Sequence, residues 1–196
     1  MVSTSVLFVG VGGQGIILAS KIVAECAFEV GLMVKESELH GMAQRGGSVI
    51  SHVRFGKEVY SPLTPRGTGD FMMATEELEA LRYAYYLKPR AQVILNRRRI
   101  MPSTVNPDTN PYPEGAALKL GEAGFEVVEV DAPEIAKALG NPKVENVILV
   151  GALSRFLPFD QDVWEKVISN SVPSKTVEIN LAAFRKGREI VQGGKE

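Results

Sequence analysis

The sequence is poor in the side chains that bind metals or form disulfides. Cys26 is the single cysteine in 196 residues, so an internal disulfide is impossible, and the roughly four thiolates of an iron–sulfur cluster are missing. Only two histidines occur, His40 and His52, which excludes a structural zinc site and predicts that the chain binds no metal. Cys26 falls on the apolar side of a predicted helix, a position typical of a small core residue.

The chain also lacks a strong positive charge and a long hydrophobic run. Its formal net charge is −1, whereas nucleic-acid-binding proteins usually carry a basic excess, so we expect no nucleic acid partner. The cluster Arg97-Arg98-Arg99 is a local exception and is typical of a solvated loop. No stretch reaches the roughly 18 apolar residues of a membrane span, and the N-terminal residues lack the features of a signal peptide. These absences predict a cytoplasmic protein without membrane contact.

A buried strand, a glycine-rich turn and a helix follow one another near the N-terminus. The apolar run 6–9 predicts the strand, and apolar residues at helical spacing from 16 to 27 predict the helix. Four glycines lie between them, at Gly10, Gly12, Gly13 and Gly15. The first, second and fourth satisfy the G-x-G-x-x-G fingerprint of dinucleotide sites, because missing Cβ atoms and free amides let an anion approach the backbone. The same glycines would serve a tight turn with close helix packing equally well, and Gln14 could reach a ligand or a neighbouring loop.

A second strand, predicted over 32–34, completes a strand–helix–strand unit of about 30 residues, the context that the fingerprint requires. Glu36 lies about 20 positions beyond the glycine turn, where an NAD-dependent enzyme places a carboxylate on the ribose. The surrounding segment 35–38 is polar throughout. A solvated loop at the end of the strand is therefore the other interpretation of Glu36.

A second candidate anion site precedes the alternating strand predicted over 49–55. It comprises Arg45, Gly46, Gly47 and Ser48. This composition places an arginine fork beside two bare backbone amides and a hydroxyl group. A loop whose arginine pairs with a neighbouring acid is an equally good interpretation. Gly56-Lys57 is predicted to form a two-residue hairpin turn into a further strand at 58–60, which would make the sheet mixed rather than purely parallel.

The remaining chain alternates predicted strands and helices. Further strands are predicted at 70–74, 92–96 and 125–130, and helices after a Thr75 cap, after Asp131, and at 147–153, 160–168 and 175–191. Residues 102–113 are rich in proline and predict an irregular surface loop that could contact a partner. The helix at 147–153 is apolar nearly all round and should be buried, with Gly151 permitting close packing. These patterns predict an α/β fold: one three-layer, Rossmann-like domain over 1–196, with a mostly parallel, mixed sheet and C-terminal helices.

Two motifs carry a resemblance to a known family. The first is Gly10-Val11-Gly12-Gly13-Gln14-Gly15, and the second runs from His40 to Arg54 and includes Arg45-Gly46-Gly47-Ser48. They resemble the gamma-type domain of the 2-oxoacid:ferredoxin oxidoreductases. Taken with the strings 74–82 and 146–154, the chain is similar to the beta subunit of the indolepyruvate branch of that family. The resemblance extends over nearly the whole chain.

The resemblance implies a reaction and a division of labour between subunits. In this family, an aryl 2-oxoacid and coenzyme A yield an acyl-CoA and carbon dioxide, and ferredoxin accepts the electrons. Thiamine diphosphate and the iron–sulfur clusters belong chiefly to the large alpha subunit, which would be the partner of this chain. The chain agrees with that division, because it lacks the cluster cysteines and the G-D-G…N-N thiamine diphosphate signature, of which Gly69-Asp70 is only a fragment. We therefore expect no cofactor on this chain alone.

The resemblance also implies where a ligand would bind. The two glycine-rich loops would face coenzyme A or a cofactor of the partner. The binding residues would be Gly10, Gly12, Gly13, Gln14, Gly15, Arg45, Gly46, Gly47 and Ser48. No catalytic residue is predicted, since the chain has neither a nucleophile elbow nor a G-x-x-x-x-G-K-[ST] phosphate loop. Two other functions stay open: a free-standing NAD(P)-dependent oxidoreductase and a purely structural docking subunit.

Overall fold

The computed structural model describes residues 3–40, 46–102, 108–109 and 111–191. The strands are β1 (Thr4–Val11), β2 (Met33–His40), β3 (Ser48–Gly56), β4 (Gly69–Ala74), β5 (Leu87–Asn96) and β6 (Glu126–Val130). The helices are α1 (Ile16–Glu29), α2 (Glu77–Tyr83), α3 (Ala116–Glu122), α4 (Ala132–Ala138), α5 (Glu145–Leu153), α6 (Gln161–Ser171) and α7 (Val177–Val191).

The sheet is mixed and mostly parallel, which confirms the predicted fold class. Its strand order is β2-β3-β1-β4-β5-β6. Strands β1, β4, β5 and β6 run parallel, whereas β3 runs antiparallel to both of its neighbours. Residues 5–11 of β1 are buried, because β1 lies inside the sheet and both of its faces are covered. This burial explains why its sequence is almost continuously apolar.

The predicted hairpin at Gly56-Lys57 is wrong. Residues 58–60 form no strand, and β3 instead pairs with β2 on one edge and with β1 on the other. Both edges of β3 are therefore occupied, so a strand at 58–60 would find no partner beside it. The polar segment 35–38, which one interpretation made a loop, lies inside β2. Because β2 forms an edge of the sheet, its side chains can remain solvated within a strand.

Helices cover both faces of the sheet and complete the three layers. One face carries α1 and α4 to α7 over a core that includes Phe8, Val53 and Trp164. The other face carries α2 and α3 over a smaller core that includes Leu7 and Val93. Helix α3 was not predicted, because glycines stand before, within and after it and obscure its periodicity.

Helix α5 crosses α7 at backbone contact. Every residue from 146 to 153 is buried, as the apolar sequence predicted. A Cβ atom on Gly151 would overlap the carbonyl oxygen of Phe184, and a Cβ atom on Gly187 would overlap that of Ile148. Only glycine permits this approach. Although α5 is apolar, it has nine residues, and none of the helices in the described ranges is long and apolar enough to cross a membrane.

Candidate functional site

The glycine turn lies at the carboxyl edge of the sheet, where β1, β4 and β5 end side by side. Ligands of open α/β sheets bind at this edge. Gly13 has a φ of 100° and Gly15 a φ of 74°, values that L side chains rarely adopt. Gly15 caps α1, so the predicted strand, turn and helix are confirmed. The amides in the first turn of α1 have no acceptors within the helix and point toward this edge.

The Gln14 side chain is turned into the protein and holds the glycine turn together. Its Oε1 atom accepts hydrogen bonds from the amide of Val11 at 2.8 Å and from Oγ1 of Thr75 at 2.7 Å. Its Nε2 atom donates to the carbonyl of Thr75 at 3.3 Å. Thr75 also explains why residue 10 is a glycine, since a Cβ atom on Gly10 would overlap the Oγ1 atom of Thr75. The prediction that Thr75 caps the next helix is wrong: Glu76 caps α2, because Thr75 is engaged with the turn.

Two buried asparagines connect this turn to the rest of the carboxyl edge. Asn96, at the end of β5, donates to the carbonyl of Thr75 at 3.2 Å and accepts from the amide of Ala132 at 3.2 Å. Asn146, in the first turn of α5, donates to the carbonyl of Gly15 at 3.1 Å. Neither amide was predicted as part of the site. In both cases the sequence shows only a single asparagine at the boundary of an apolar run, which is a weak indication of a functional residue.

These segments enclose a cavity of about 450 Å³. It is lined by Gly13, Gln14, Gly15, Leu18, Thr75, Asn96, Arg98, Pro142, Lys143, Glu145, Asn146 and Leu149. Two cations reach it, Arg98 and Lys143, and the N-termini of α1 and α5 both open onto it. Arg98 is held by Glu145, with Nη1 at 2.6 Å from each carboxylate oxygen. Glu145 also lines the cavity and neutralises Arg98, so Lys143 and the helix N-termini are the features that suit an anionic ligand such as a phosphate.

A second cavity of about 350 Å³ lies beside the same turn. Its lining is apolar, from Val11, Ile16, Ile17 and Val49, apart from the turn glycines. Ile17 is 49% exposed although it belongs to the first turn of α1. The glycine turn therefore has an apolar groove beside it as well as the polar cavity.

The structure brings the second glycine-rich loop against the first. The amide of Gly12 donates to the carbonyl of Gly47 at 2.8 Å, and Ser48 follows at the start of β3. Arg45 lies outside the described residues. The predicted binding residues Gly10 to Gly15 and Gly46 to Ser48 thus share one edge of the sheet, and their contact with a ligand stays a prediction.

Glu36 is not near the glycine turn. It lies in the middle of β2, four residues before the strand ends, which corresponds to about 13 Å along the strand. Strand β3 also separates β2 from β1, whereas a dinucleotide site needs these two strands side by side. This position does not support a role for Glu36 on a ribose.

The three consecutive arginines are each paired with an acid. Arg97 contacts Glu129 at 3.2 Å, Arg98 contacts Glu145 at 2.6 Å, and Arg99 contacts Glu77 at 3.0 Å. The three arginines therefore have fixed ion-pair partners at the carboxyl edge of the sheet. Arg98 is the member that reaches the larger cavity.

Cys26 and His52 are buried away from this edge. Burial raises the pKa of the Cys26 thiol and lowers the pKa of His52. In the described ranges, no group of three or more His, Cys, Asp or Glu side chains could hold a metal ion. With a single, core-packed cysteine, the chain does not fit an iron–sulfur cluster.

Comparisons with known proteins agree with this architecture. Residues 5–190 match the family described as pyruvate ferredoxin/flavodoxin oxidoreductase. Indolepyruvate oxidoreductase subunit IorB of Archaeoglobus fulgidus is 43% identical over 187 residues, covering 93% of this chain and 92% of that protein. The subunit of the same name from Thermococcus kodakarensis is 39% identical over 188 residues, covering 93% of each.

Two solved structures share the fold. The gamma subunit of a keto/oxoacid ferredoxin oxidoreductase from Geobacter sulfurreducens has a TM-score of 0.75 at 24% identity, over 97% of this chain and 99% of that chain. The 2-oxoglutarate:ferredoxin oxidoreductase from Magnetococcus marinus, with 2-oxoglutarate, coenzyme A and succinyl-CoA bound, has a TM-score of 0.75 at 22% identity. It covers 98% of this chain and 32% of that chain.

The family match spans nearly the whole chain, and the curated relatives span nearly their own full lengths. The glycine turn and the loop beside it are the segments whose motifs indicated this relationship, and they meet at the carboxyl edge. This chain belongs to the pyruvate ferredoxin/flavodoxin oxidoreductase family.

Proposed function

We propose that the chain is the smaller subunit of an indolepyruvate:ferredoxin oxidoreductase. The assembled enzyme would convert an aryl 2-oxoacid and coenzyme A into an acyl-CoA and carbon dioxide, and ferredoxin would accept the electrons one at a time. A large alpha subunit would hold thiamine diphosphate and the iron–sulfur clusters. This chain would contribute its carboxyl-edge cavity to the binding of coenzyme A.

The proposals for the substrate and for the partner subunit are based on the names of the similar proteins. Those at 39% and 43% identity are named indolepyruvate oxidoreductase subunits, and a subunit of an oxidoreductase requires at least one other chain. The domain extent rests on the match to residues 5–190, so we propose that 1–196 form one gamma-type domain. A cytoplasmic location is proposed with it, because ferredoxin and coenzyme A would have to be available.

The role in coenzyme A binding rests on one observation: Lys143, the Arg98–Glu145 ion pair and two helix N-termini surround one cavity beside the glycine turn. Coenzyme A carries several phosphates, which need cations and free amides. Its pantetheine arm is less polar and would suit the adjacent groove at Ile17.

Lys143→Ala in the complex reconstituted with the large subunit tests this proposal. Losing one charge-assisted contact costs about 1.5 kcal/mol, so the KM for coenzyme A should rise about tenfold while the KM for the 2-oxoacid stays unchanged. Lys119→Ala, which removes an exposed lysine on α3, is the matched control. An unchanged KM for coenzyme A in Lys143→Ala would leave the docking role as the better interpretation.

The free-standing NAD(P)-dependent oxidoreductase is the competing function. The position of Glu36 in β2, separated from β1 by β3, counts against it. Titrating the isolated chain with NADH and following nucleotide fluorescence tests it directly. Saturable binding in the micromolar range would favour this alternative, and we expect none.

A further inference from the structure

Glu79 is a buried carboxyl group that faces the second glycine-rich loop. It lies on α2 and is 4% exposed. Its Oε2 atom accepts a hydrogen bond from Oγ of Ser48, and Arg82 contacts its Oε1 atom at 3.3 Å. The hydroxyl of Tyr83 lies 2.9 Å from the same Ser48 oxygen. Desolvation raises the pKa of Glu79, so the fold keeps a carboxyl group at a position where its charge is unfavourable.

Ser48 is connected to the glycine turn through its neighbour in the chain, Gly47. Ser48 follows Gly47, whose carbonyl accepts the 2.8 Å hydrogen bond from the amide of Gly12. Glu79, Ser48, Gly47 and Gly12 therefore form one short chain of polar and covalent links. This chain fixes the distance between the two glycine-rich loops from α2, on the side of the sheet opposite α5.

Glu76, the buried glutamate directly before α2, has a different set of partners. It is 1% exposed and caps α2 by accepting from the amide of Glu79 at 2.9 Å. It also accepts from the amide of Ile100 at 3.0 Å and from the hydroxyl of Tyr112. These contacts hold the helix and the segment after β5. Glu79 is the acid of this pair that contacts the loop at the site.

We propose that Glu79 is a positioning residue for the ligand site, which it serves by holding Ser48 so that Gly47 stays against Gly12. This role rests on the proposed function, because the site that is positioned is the coenzyme A site. Glu79 itself need not touch the ligand. The glycine motifs do not point to this role of Glu79, since Glu79 lies 31 residues beyond Ser48 in the chain.

The test compares Glu79→Ala and Glu79→Gln in the reconstituted complex. A displaced loop can cost on the order of tenfold to a hundredfold, so Glu79→Ala should raise the KM for coenzyme A at least about tenfold. Glu79→Gln should recover most of this loss, because an amide oxygen can still accept from Ser48. A purely structural role would instead lower the amount of active complex and leave both KM values unchanged. Glu165→Ala, which removes an arginine-paired glutamate of α6, is the control.

A second readout is independent of activity. The hydrogen exchange of the Gly12 amide should accelerate about tenfold in Glu79→Ala and in Ser48→Ala. Exchange in the double variant should be little faster than in either single variant, since both substitutions break the same series of links from Glu79 to Gly12. Should Glu79→Ala fail to fold, Ser48→Ala and Glu79→Gln supply the same comparison. Unchanged exchange at Gly12, or additive effects of the two substitutions, would overturn the proposal. If Lys143→Ala raises the KM for coenzyme A and the Glu79 variants do not, the positioning role alone fails. If neither does, the coenzyme A site of the proposed function fails as well, and the docking role becomes the better interpretation.

Discussion

Glycine is indispensable in two regions of this molecule, for opposite reasons. At the crossing of α5 and α7, Cβ atoms on Gly151 or Gly187 would overlap backbone carbonyl oxygens of the facing helix. At the glycine turn, a Cβ atom on Gly13 would meet nothing within 4 Å in the described part of the chain. There, only the φ of 100° restricts the residue. The helix crossing uses glycine to bring two backbones together, whereas Gly13 leaves open space beside a cavity; Gly10 and Gly15, in the same turn, are closely packed against the side chains of Thr75 and Asn146.

This difference separates stability from function. A helix crossing without room for a methyl group contributes to the core and contacts no solvent. An open, positively disposed backbone at the end of a strand contributes little packing and is available to a ligand. Substitution of Gly187 should therefore affect mainly unfolding, and substitution of Gly13 mainly ligand affinity.

Gly187→Ala should have the largest effect on folding. The added methyl group meets the backbone of α5, which cannot rotate away as a side chain could, so α7 must shift. We expect a loss of about 3 kcal/mol or more in the free energy of unfolding, measured by urea denaturation. A loss below about 1 kcal/mol would show that the two helices separate easily and that their contact is not a core contact.

Gly10→Ala should have an intermediate effect that a second substitution relieves. The new Cβ atom would overlap Oγ1 of Thr75, which is the end of a side chain rather than backbone. We expect a loss of about 1–3 kcal/mol. In a Thr75→Ala background the same change should cost less, since the closest overlapping atom is absent and only the ends of the Gln14 and Ile16 side chains, at 2.9 Å, remain. Equal costs in both backgrounds, in a double-mutant cycle of unfolding energies, would contradict this account of Gly10.

Gly13→Ala should reverse the pattern of Gly187→Ala. Its unfavourable φ should cost about 1–2 kcal/mol of stability. In the reconstituted complex, however, the KM for coenzyme A should rise on the order of tenfold, because Gly13 lines both cavities and the added methyl group would displace the ligand. Steady-state kinetics at saturating 2-oxoacid measure this. A Gly13→Ala complex with an unchanged KM would mean that the turn is structural and that the comparison with the helix crossing breaks down.

Gly121→Ala should have the smallest effect and the opposite sign. Gly121 lies in α3 with a helical φ and, among the described residues, nothing within 4 Å of an added Cβ atom. Alanine there should stabilise the protein by about 0.5–1 kcal/mol. Thermal melting would detect this as a small upward shift. A destabilisation would indicate that α3 packs more closely than its exposed face shows.

Local patterns predicted the segments that depend on neighbours in the chain. The strand, glycine turn and start of α1 follow from residues 6–27, and Asp131 caps α4 by accepting from the amide of Glu134, as its capping pattern indicated. The burial of α5 followed from its composition. In each case the determining residues lie within a few positions of one another.

Non-local choices could not be predicted in this way. The pairing of β3 with β2 and β1 depends on which strand edges are still unpaired in the folded sheet. The alternation of apolar and polar residues within 49–55 predicts a strand but does not identify its neighbours. Gly187 stands in an ordinary amphipathic helix, so its contact with Ile148 becomes visible only when α7 is placed. Asn96 and Asn146 are single polar residues whose partners lie far away in the sequence, and Glu79 stands among other glutamates, so its contact with Ser48 could not be singled out.

The most direct test of the central claim is hydrogen exchange of the assembled complex with and without desulfo-coenzyme A, which cannot react. The claim predicts that the ligand slows exchange on the order of tenfold at the first-turn amides of α1, residues 16–18, and at the start of α5. The amides of α7 around Gly187 should not change. Unaltered exchange at residues 16–18 in a complex that still requires coenzyme A for turnover would contradict the claim that this cavity binds it.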